Sequence, residues 1–198
     1  MDVVEKGPKG IVTLPNLITM VRLLVLPVFV VMLLVNEQRA GAALLLGVLG
    51  MTDWVDGWVA RTFNQTSQFG MVFDPFVDRA LFVVGTGSVL LDGGVPLWFC
   101  ASILFREVFV GLMMLVGTLF GMKRFAVSIW GKRYTFLLMT SVPLLLLGAS
   151  SHITADAAWV GGWVLGIPGL IMSYIVGVLY IPVVLQNVRA GRAERALP

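Results

Sequence analysis

Four aspartates, Asp53, Asp56, Asp74 and Asp78, interrupt a stretch that is otherwise apolar enough to lie in a membrane. They come as two close pairs, Asp53-Trp-Val-Asp56 and Asp74-Pro-Phe-Val-Asp78. On helices of 3.6 residues per turn, Asp53, Asp56, Gly57 and Ala60 share one face, and Gly70, Asp74 and Asp78 share one face of the next helix. A carboxylate at the centre of a spanning helix costs about 2.5–3.5 kcal/mol, so four left uncompensated would cost roughly 10–14 kcal/mol. Two acids at i,i+4 also repel each other unless a cation lies between them. Divalent metal offsets such charge, and hard carboxylate oxygens suit magnesium, manganese or calcium rather than zinc. Four carboxylates have capacity for two ions, the arrangement that clamps attacking and leaving oxygens in phosphoryl chemistry. The competing explanation is a set of structural ion pairs with Arg22, Arg61 and Arg79. It meets only part of the negative charge and gives the glycines no role.

The elements that must position these acids follow from composition. The 198 residues are 58% hydrophobic and 13% charged, where a soluble domain carries nearer a quarter charged. The fold class is therefore all-α integral membrane, one domain over 1–198 with six transmembrane helices. These are predicted at about 15–35, 40–61, 70–92, 96–120, 132–148 and 159–184, with Pro168 and Pro182 as kinks or boundaries of the last. Gly117-x3-Gly121 and Gly162-x3-Gly166 have the spacing of close helix contacts. The first apolar run exceeds a signal-peptide core and is read as a retained span. Residues 1–13 form an N-terminal segment, and the basic 189–198 tail suits anionic headgroups.

An even number of spans puts both termini on one side. Ten of the 14 lysines and arginines fall on that side and only Arg39 in an opposite connector, which makes the terminal side cytoplasmic. The aspartates then lie in cytoplasmic halves of their helices, open to a water-soluble group. Other chemistries are excluded or disfavoured. The one cysteine, Cys100, reads as packing, and the one histidine, His152, sits in a polar connector, so no His-based triad or His-rich metal site is available. Basic residues do not interleave with aromatics as nucleic-acid binding requires. Ion or proton transport is a remote alternative, because the acids occupy one hairpin with no counterpart in the other half.

The full pattern reads D-x2-D-G-x2-A-R-x8-G-x3-D-x3-D, from Asp53 to Asp78. It resembles the CDP-alcohol phosphatidyltransferases at every fixed position, and the stretch from Leu14 to Arg22 looks like that family's opening helix. The resemblance, of the phosphatidylglycerophosphate synthase and cardiolipin synthase type, implies a multi-pass homodimer in a bacterial cell membrane with a Mg2+ or Mn2+ site facing the cytoplasm. It implies CDP-diacylglycerol as donor, a hydroxyl acceptor and CMP as product. By the same resemblance Asp53, Asp56 and Asp74 are metal ligands, and Asp78 is a metal ligand, the general base, or both in turn. Gly57, Ala60, Arg61 and Gly70 shape the CDP pocket, with Asn16 and Thr19 at its cytidine end; Asn16 reads equally as a helix cap. Transfer is expected in one displacement, since no cysteine, lysine or histidine nucleophile is needed.

The acceptor is read from cations. Gly131-Lys132-Arg133-Tyr134-Thr135 looks like a stretch in members that use glycerol 3-phosphate, and Lys132, Arg133 and Arg106 are the candidate acceptor-phosphate residues. Pairing with the adjacent Glu107 or a neighbouring aspartate is an equal explanation of Arg106. Glycerol 3-phosphate is the first expectation. The alternative is phosphatidylglycerol, the acceptor of a cardiolipin synthase, because Arg79 stands where many members have lysine and the helix after Glu107 stays apolar.

Overall fold

In hydrocarbon the backbone must satisfy its own N–H and C=O groups, so long apolar stretches of this kind are confined to helices. The computed structural model describes residues 14–62, 70–122 and 129–195; side chains at 14–15, 53–62, 71–72, 129–130, 132 and 192–195 lie outside the description. The described residues form six helices: α1 (Leu14–Leu34), α2 (Arg39–Thr62), α3 (Gly70–Asp92), α4 (Leu97–Leu119), α5 (Ile129–Gly148) and α6 (Ala155–Arg195). Three stretches within them are long and apolar enough to cross a membrane, Asn16–Leu34, Leu97–Leu119 and Ala155–Gly191, and shorter apolar segments cover Arg39–Thr52 and Arg133–Gly148.

The helix ends follow local chemistry. At the end of α4, Gly121 adopts φ +83°, its N–H donates to the Thr118 carbonyl, and the Met122 N–H donates to Gly117. That is the Schellman arrangement, and the left-handed residue in it favours glycine. Gly93 turns the chain after α3 in the same region, at φ +74°.

The main pairings run α1–α2–α5–α6–α4–α3 and back to α1, and α5 also touches α3 across this ring. Phe29 and Leu33 of α1, Val77 and Val89 of α3, Phe99 and Ile103 of α4 and Leu138 and Leu145 of α5 are buried in the core. Lipid is as apolar as leucine, so close packing and polar ties must hold such helices together. The α5–α6 pair is held by a glycine seam. A Cβ on Gly162 would stand 2.7 Å from Leu145 Cγ, and one on Gly166 2.5 Å from Ser141 Oγ. The Ser141 hydroxyl donates to the Gly162 carbonyl at 2.8 Å. The predicted Gly162-x3-Gly166 contact is therefore made inside the chain.

At one end of the bundle, Arg39 at the start of α2 donates through Nε to both oxygens of Asp92, at 3.1 and 3.0 Å, and through Nη1 to the Ala149 carbonyl at 3.3 Å. This ties the start of α2 to the end of α3 and the α5–α6 turn. Cys100 is fully buried, as a packing residue should be, and His152 is exposed.

The last helix departs from expectation. It begins four residues before 159 and continues beyond 184 to Arg195, with Pro168 and Pro182 both inside it. Apolar helices tolerate proline because neighbouring groups re-satisfy the freed carbonyls. Residues 189–195 of the predicted tail are thus the last turns of a 41-residue helix. It is about 60 Å long, twice the roughly 30 Å hydrocarbon core.

Gly148 tests the α5–α6 seam, because an added Cβ would meet the Trp159 backbone, with Cα at 2.7 Å and N at 2.8 Å. Gly148→Ala is expected to destabilise the protein by about 1–3 kcal/mol. Gly111→Ala, where a Cβ meets nothing within 4 Å, should leave stability unchanged or slightly raised. Thermal unfolding of the two purified variants in detergent checks the contrast.

Candidate active site

Cross-helix contacts fix the relative directions of the helices. Thr19 and Arg22 meet Asp74 and Asp78 in the same order, so α1 and α3 run parallel. Arg22 meets Leu49 while Gly41 meets Met32, so α2 runs against α1. Phe99, Val110 and Gly117 of α4 lie by Gly166, Gly177 and Val184 of α6, a parallel pair. Leu145 and Leu137 of α5 lie by Gly162 and Gly169, an antiparallel pair. Successive helices therefore alternate, and one end of the bundle gathers the start of α1, the end of α2, the starts of α3 and α5 and the ends of α4 and α6. The predicted acids on α2 and α3 and the predicted cations on α5 share that end.

A polar stripe on α1 builds the described part of the site. Asn16, Thr19 and Arg22 recur every three residues on one face, and all three are buried. The Thr19 hydroxyl donates to Asp74 Oδ1 at 2.8 Å. Arg22 donates from Nη1 to Asp78 Oδ1 at 2.9 Å and from Nε to the Leu49 carbonyl at 3.2 Å. Leu49 lies one helical turn before Asp53, so this guanidinium bridges the two acid-bearing helices. Asp74 and Asp78 are both half-buried, and Gly70, which opens α3, is buried. The side chains of Asp53, Asp56, Ala60 and Arg61, with Gly57 between them, lie outside the described residues; the backbone carries all five in the last turns of α2.

A second polar network lies between α3, α4, α5 and α6. Glu107 is ion-paired with Arg79 of α3 and accepts a hydrogen bond from the adjacent Arg106. Arg106 also donates to the Tyr134 hydroxyl on α5 and, at 3.1 Å, to the Ser173 carbonyl on α6. Its Cζ lies 4.3 Å from the centroid of the Tyr134 ring. Arg106 is 2% exposed and Glu107 5%, so the pairing weighed for Arg106 in the sequence is the one made. Arg133 is exposed, one residue before Tyr134, and the Lys132 side chain lies outside the described residues.

The ion pairs bear on whether the acids suit a metal. Arg79, adjacent in sequence to Asp78, is committed to Glu107. Asp74 has a hydroxyl partner and, among the described residues, no cationic one. A carboxylate held by a neutral donor keeps its charge and its second oxygen for a hard cation, so Asp74 fits the oxygen chemistry of magnesium or manganese, while Oδ1 of Asp78 is paired with Arg22. Sequence reasoning treated Arg22 only as a competing ion-pair partner and gave no role to Tyr134. The available signal was a charged residue within an apolar span, which is costly unless used.

Comparisons with known proteins fit this geometry. The model of the CDP-alcohol phosphatidyltransferase family matches residues 12–182. A Streptomyces coelicolor protein named cardiolipin synthase (CMP-forming) is 36% identical over 190 residues, covering 92% of this chain and 87% of its own. An Escherichia coli protein named CDP-diacylglycerol–glycerol-3-phosphate 3-phosphatidyltransferase is 30% identical over 188 residues, covering 91% of this chain and 96% of its own. A Rickettsia typhi protein of the same name is 34% identical over 142 residues, covering 69% of this chain and 77% of its own. A motif with every fixed residue in place, two of its acids held by a buried stripe on the first helix, and a family match over most of the length lead to one statement: this chain belongs to the CDP-alcohol phosphatidyltransferase family.

Proposed function

We propose that this protein transfers the phosphatidyl group of CDP-diacylglycerol to the hydroxyl of a glycerol-based acceptor and releases CMP. The observation that carries the reading is the pairing of α1 with α3, Thr19 with Asp74 and Arg22 with Asp78, inside a chain of this family. The acceptor oxygen bonds to the phosphorus bearing the diacylglycerol, the bond from that phosphorus to the CMP oxygen breaks, and the hydroxyl proton passes to a carboxylate. Asp78 is that carboxylate in this reading, held in place by Arg22. Thr19 fixes one oxygen of Asp74 and so orients the other.

Asp53, Asp56, Asp74 and Asp78 would hold a divalent cation, Mg2+ or Mn2+, with capacity for two ions. Bound there, it supplies charge neutralisation for the diphosphate and the transferred group. Gly57, Ala60, Arg61 and Gly70 would line the CDP pocket, with Asn16 and Thr19 at its cytidine end. We place six spans in the membrane with both termini in the cytoplasm, supported by the basic residues clustered on the terminal side. The donor's tails then reach the site from the bilayer and its cytidine from the cytoplasm. A homodimer is part of the same reading, by analogy with the family.

Glycerol 3-phosphate is the first acceptor, supported by Lys132 and Arg133 in the opening turns of α5. Cations are disfavoured at a helix start unless an anion repays them. Phosphatidylglycerol is the second, favoured by the identity to the Streptomyces protein over most of both chains.

Purified protein given CDP-diacylglycerol and Mg2+ should release CMP with glycerol 3-phosphate or phosphatidylglycerol and not with inositol; no CMP with any acceptor would end the phosphatidyl-transfer reading. Chelation with EDTA should abolish release, and added Mg2+ should restore it. Asp78→Asn should lower turnover by about 10²–10⁴-fold with the fold retained, as loss of a general base does. Substantial residual turnover, read in the same CMP assay, would remove Asp78 from that role.

A further inference from the structure

Arg106 was one of three cations considered for the acceptor's phosphate, and it is 2% exposed. Each of its nitrogens has a partner: Nη1 donates to Glu107, Nη2 to the Tyr134 hydroxyl and Nε, at 3.1 Å, to the Ser173 carbonyl. A phosphate would have to enter the interior and displace those partners before it met this guanidinium. Arg133 is different. It is exposed, and it stands next to Tyr134 in sequence.

A guanidinium is planar, so two fixed nitrogens set the direction of the third. Glu107 of α4 holds Nη1 and the Ser173 carbonyl of α6 holds Nε. Nη2 then points to one place, and the Tyr134 hydroxyl of α5 occupies it. The same group also grips the ring, with Arg106 Cζ 4.3 Å from its centroid. Tyr134 belongs to a buried face of α5 that continues through Leu138, Ser141 and Leu145. Adjacent positions on a helix differ by about 100°, so pinning Tyr134 fixes the rotation of the turn that carries Lys132 and Arg133. That turn needs a pin. Its neighbouring cations repel each other, both meet the positive end of the helix dipole, and helix ends are the first parts to open.

We infer that Arg106 is a positioning residue and not a phosphate ligand: through Tyr134 it sets the opening turn of α5, whose Lys132 and Arg133 receive the phosphate of the acceptor. This role rests on the phosphatidyl-transfer reading above and on those two cations as its acceptor groups. It is the same for a phosphate carried by a free glycerol ester or by a lipid headgroup.

The test uses the full chain in nanodiscs: wild type, Tyr134→Phe, a variant with Lys132→Gln and Arg133→Gln together, and all three changes combined. Tyr134→Phe keeps the ring, so packing survives and only the hydroxyl is lost. KM for glycerol 3-phosphate and, separately, for phosphatidylglycerol is read from CMP release. For whichever acceptor turns over, Tyr134→Phe should raise KM about fivefold and leave kcat and the KM for CDP-diacylglycerol unchanged. The triple variant should raise KM no further than the cation variant does, because the hydroxyl acts through that turn. An unchanged or lowered KM in Tyr134→Phe overturns the role, since a freed Nη2 would then serve the phosphate itself. A rise that multiplies with that of the cation variant, or an equal loss toward both substrates, also overturns it and marks a structural part only. Hydrogen exchange of residues 131–135 reads the turn without turnover: Tyr134→Phe should speed it about tenfold while the far end of α5 keeps its protection. Equal exchange in wild type and variant overturns the role as well. If wild type releases no CMP with either acceptor, the phosphatidyl-transfer reading falls, and exchange still decides whether Arg106 pins the turn.

Discussion

The buried guanidinium of Arg22 is the interaction on which the site depends. It leaves α1 and reaches two helices at once, the Asp78 carboxylate of α3 and the Leu49 carbonyl of α2. The close approach of those two helices is at Leu46 and Gly85, where an added Cβ would stand 3.0 Å from Leu46 Cδ1, and the apolar cavity beside it is shared with α5. A charge as buried as Arg22 is costly in low dielectric unless its partners are fixed. Folding α1 into place therefore also fixes the turn before Asp53 against the turn of Asp78. The same helix contributes Thr19, so its polar stripe sets the reference for the acids of α3.

The two ends of the bundle are held by different means. Toward the α5–α6 turn, glycines allow backbones to approach, and Arg39 closes the corner between α2, α3 and the Ala149 carbonyl. Trp98, Phe99, Trp159 and Trp163 pack ring against ring in the same region, as aromatic residues do near membrane–water boundaries. Toward the site, close packing gives way to charged and hydroxyl ties. That division suits a catalyst in lipid. The packed end supplies cohesion without a hydrophobic drive between helices, and the polar end keeps space and charge for a nucleotide and a headgroup.

Much of this was legible in the sequence, for physical reasons. The acids and glycines of the motif are local in the chain, so helical spacing alone puts them on shared faces. Connectors rich in glycine and polar residues marked five helices to within about three residues, the usual limit of such readings. The sixth runs past its predicted end to Arg195 because the polar residues after 184 continue the helix, which hydropathy alone does not show. What spacing does not encode is which arginine meets which acid. Arg22 finds Asp78 across 56 residues, while Arg79, adjacent to Asp78 in sequence, finds Glu107 on the next helix. Any guanidinium suits any carboxylate, and only the packing of α1 and α4 on α3 chooses between them.

The second network joins the acid-bearing part of α3 to the opening turns of α5. Arg79 follows Asp78 in sequence, and Tyr134 follows Arg133. Between them run Glu107 and Arg106, in unbroken polar contact from α3 through α4 to α5. The helix dipole opposes cations at the start of α5, so that turn gains from being anchored by a tyrosine in the first place. A shift of α5 that moved Lys132 and Arg133 would pull on Arg106, then Glu107, then the residue beside the proposed base. The acids proposed to serve the donor and the cations proposed to serve the acceptor are thus tied to one another through Glu107, Arg106 and Tyr134. This is the arrangement a direct transfer needs, because both reacting oxygens must face one phosphorus at the same moment.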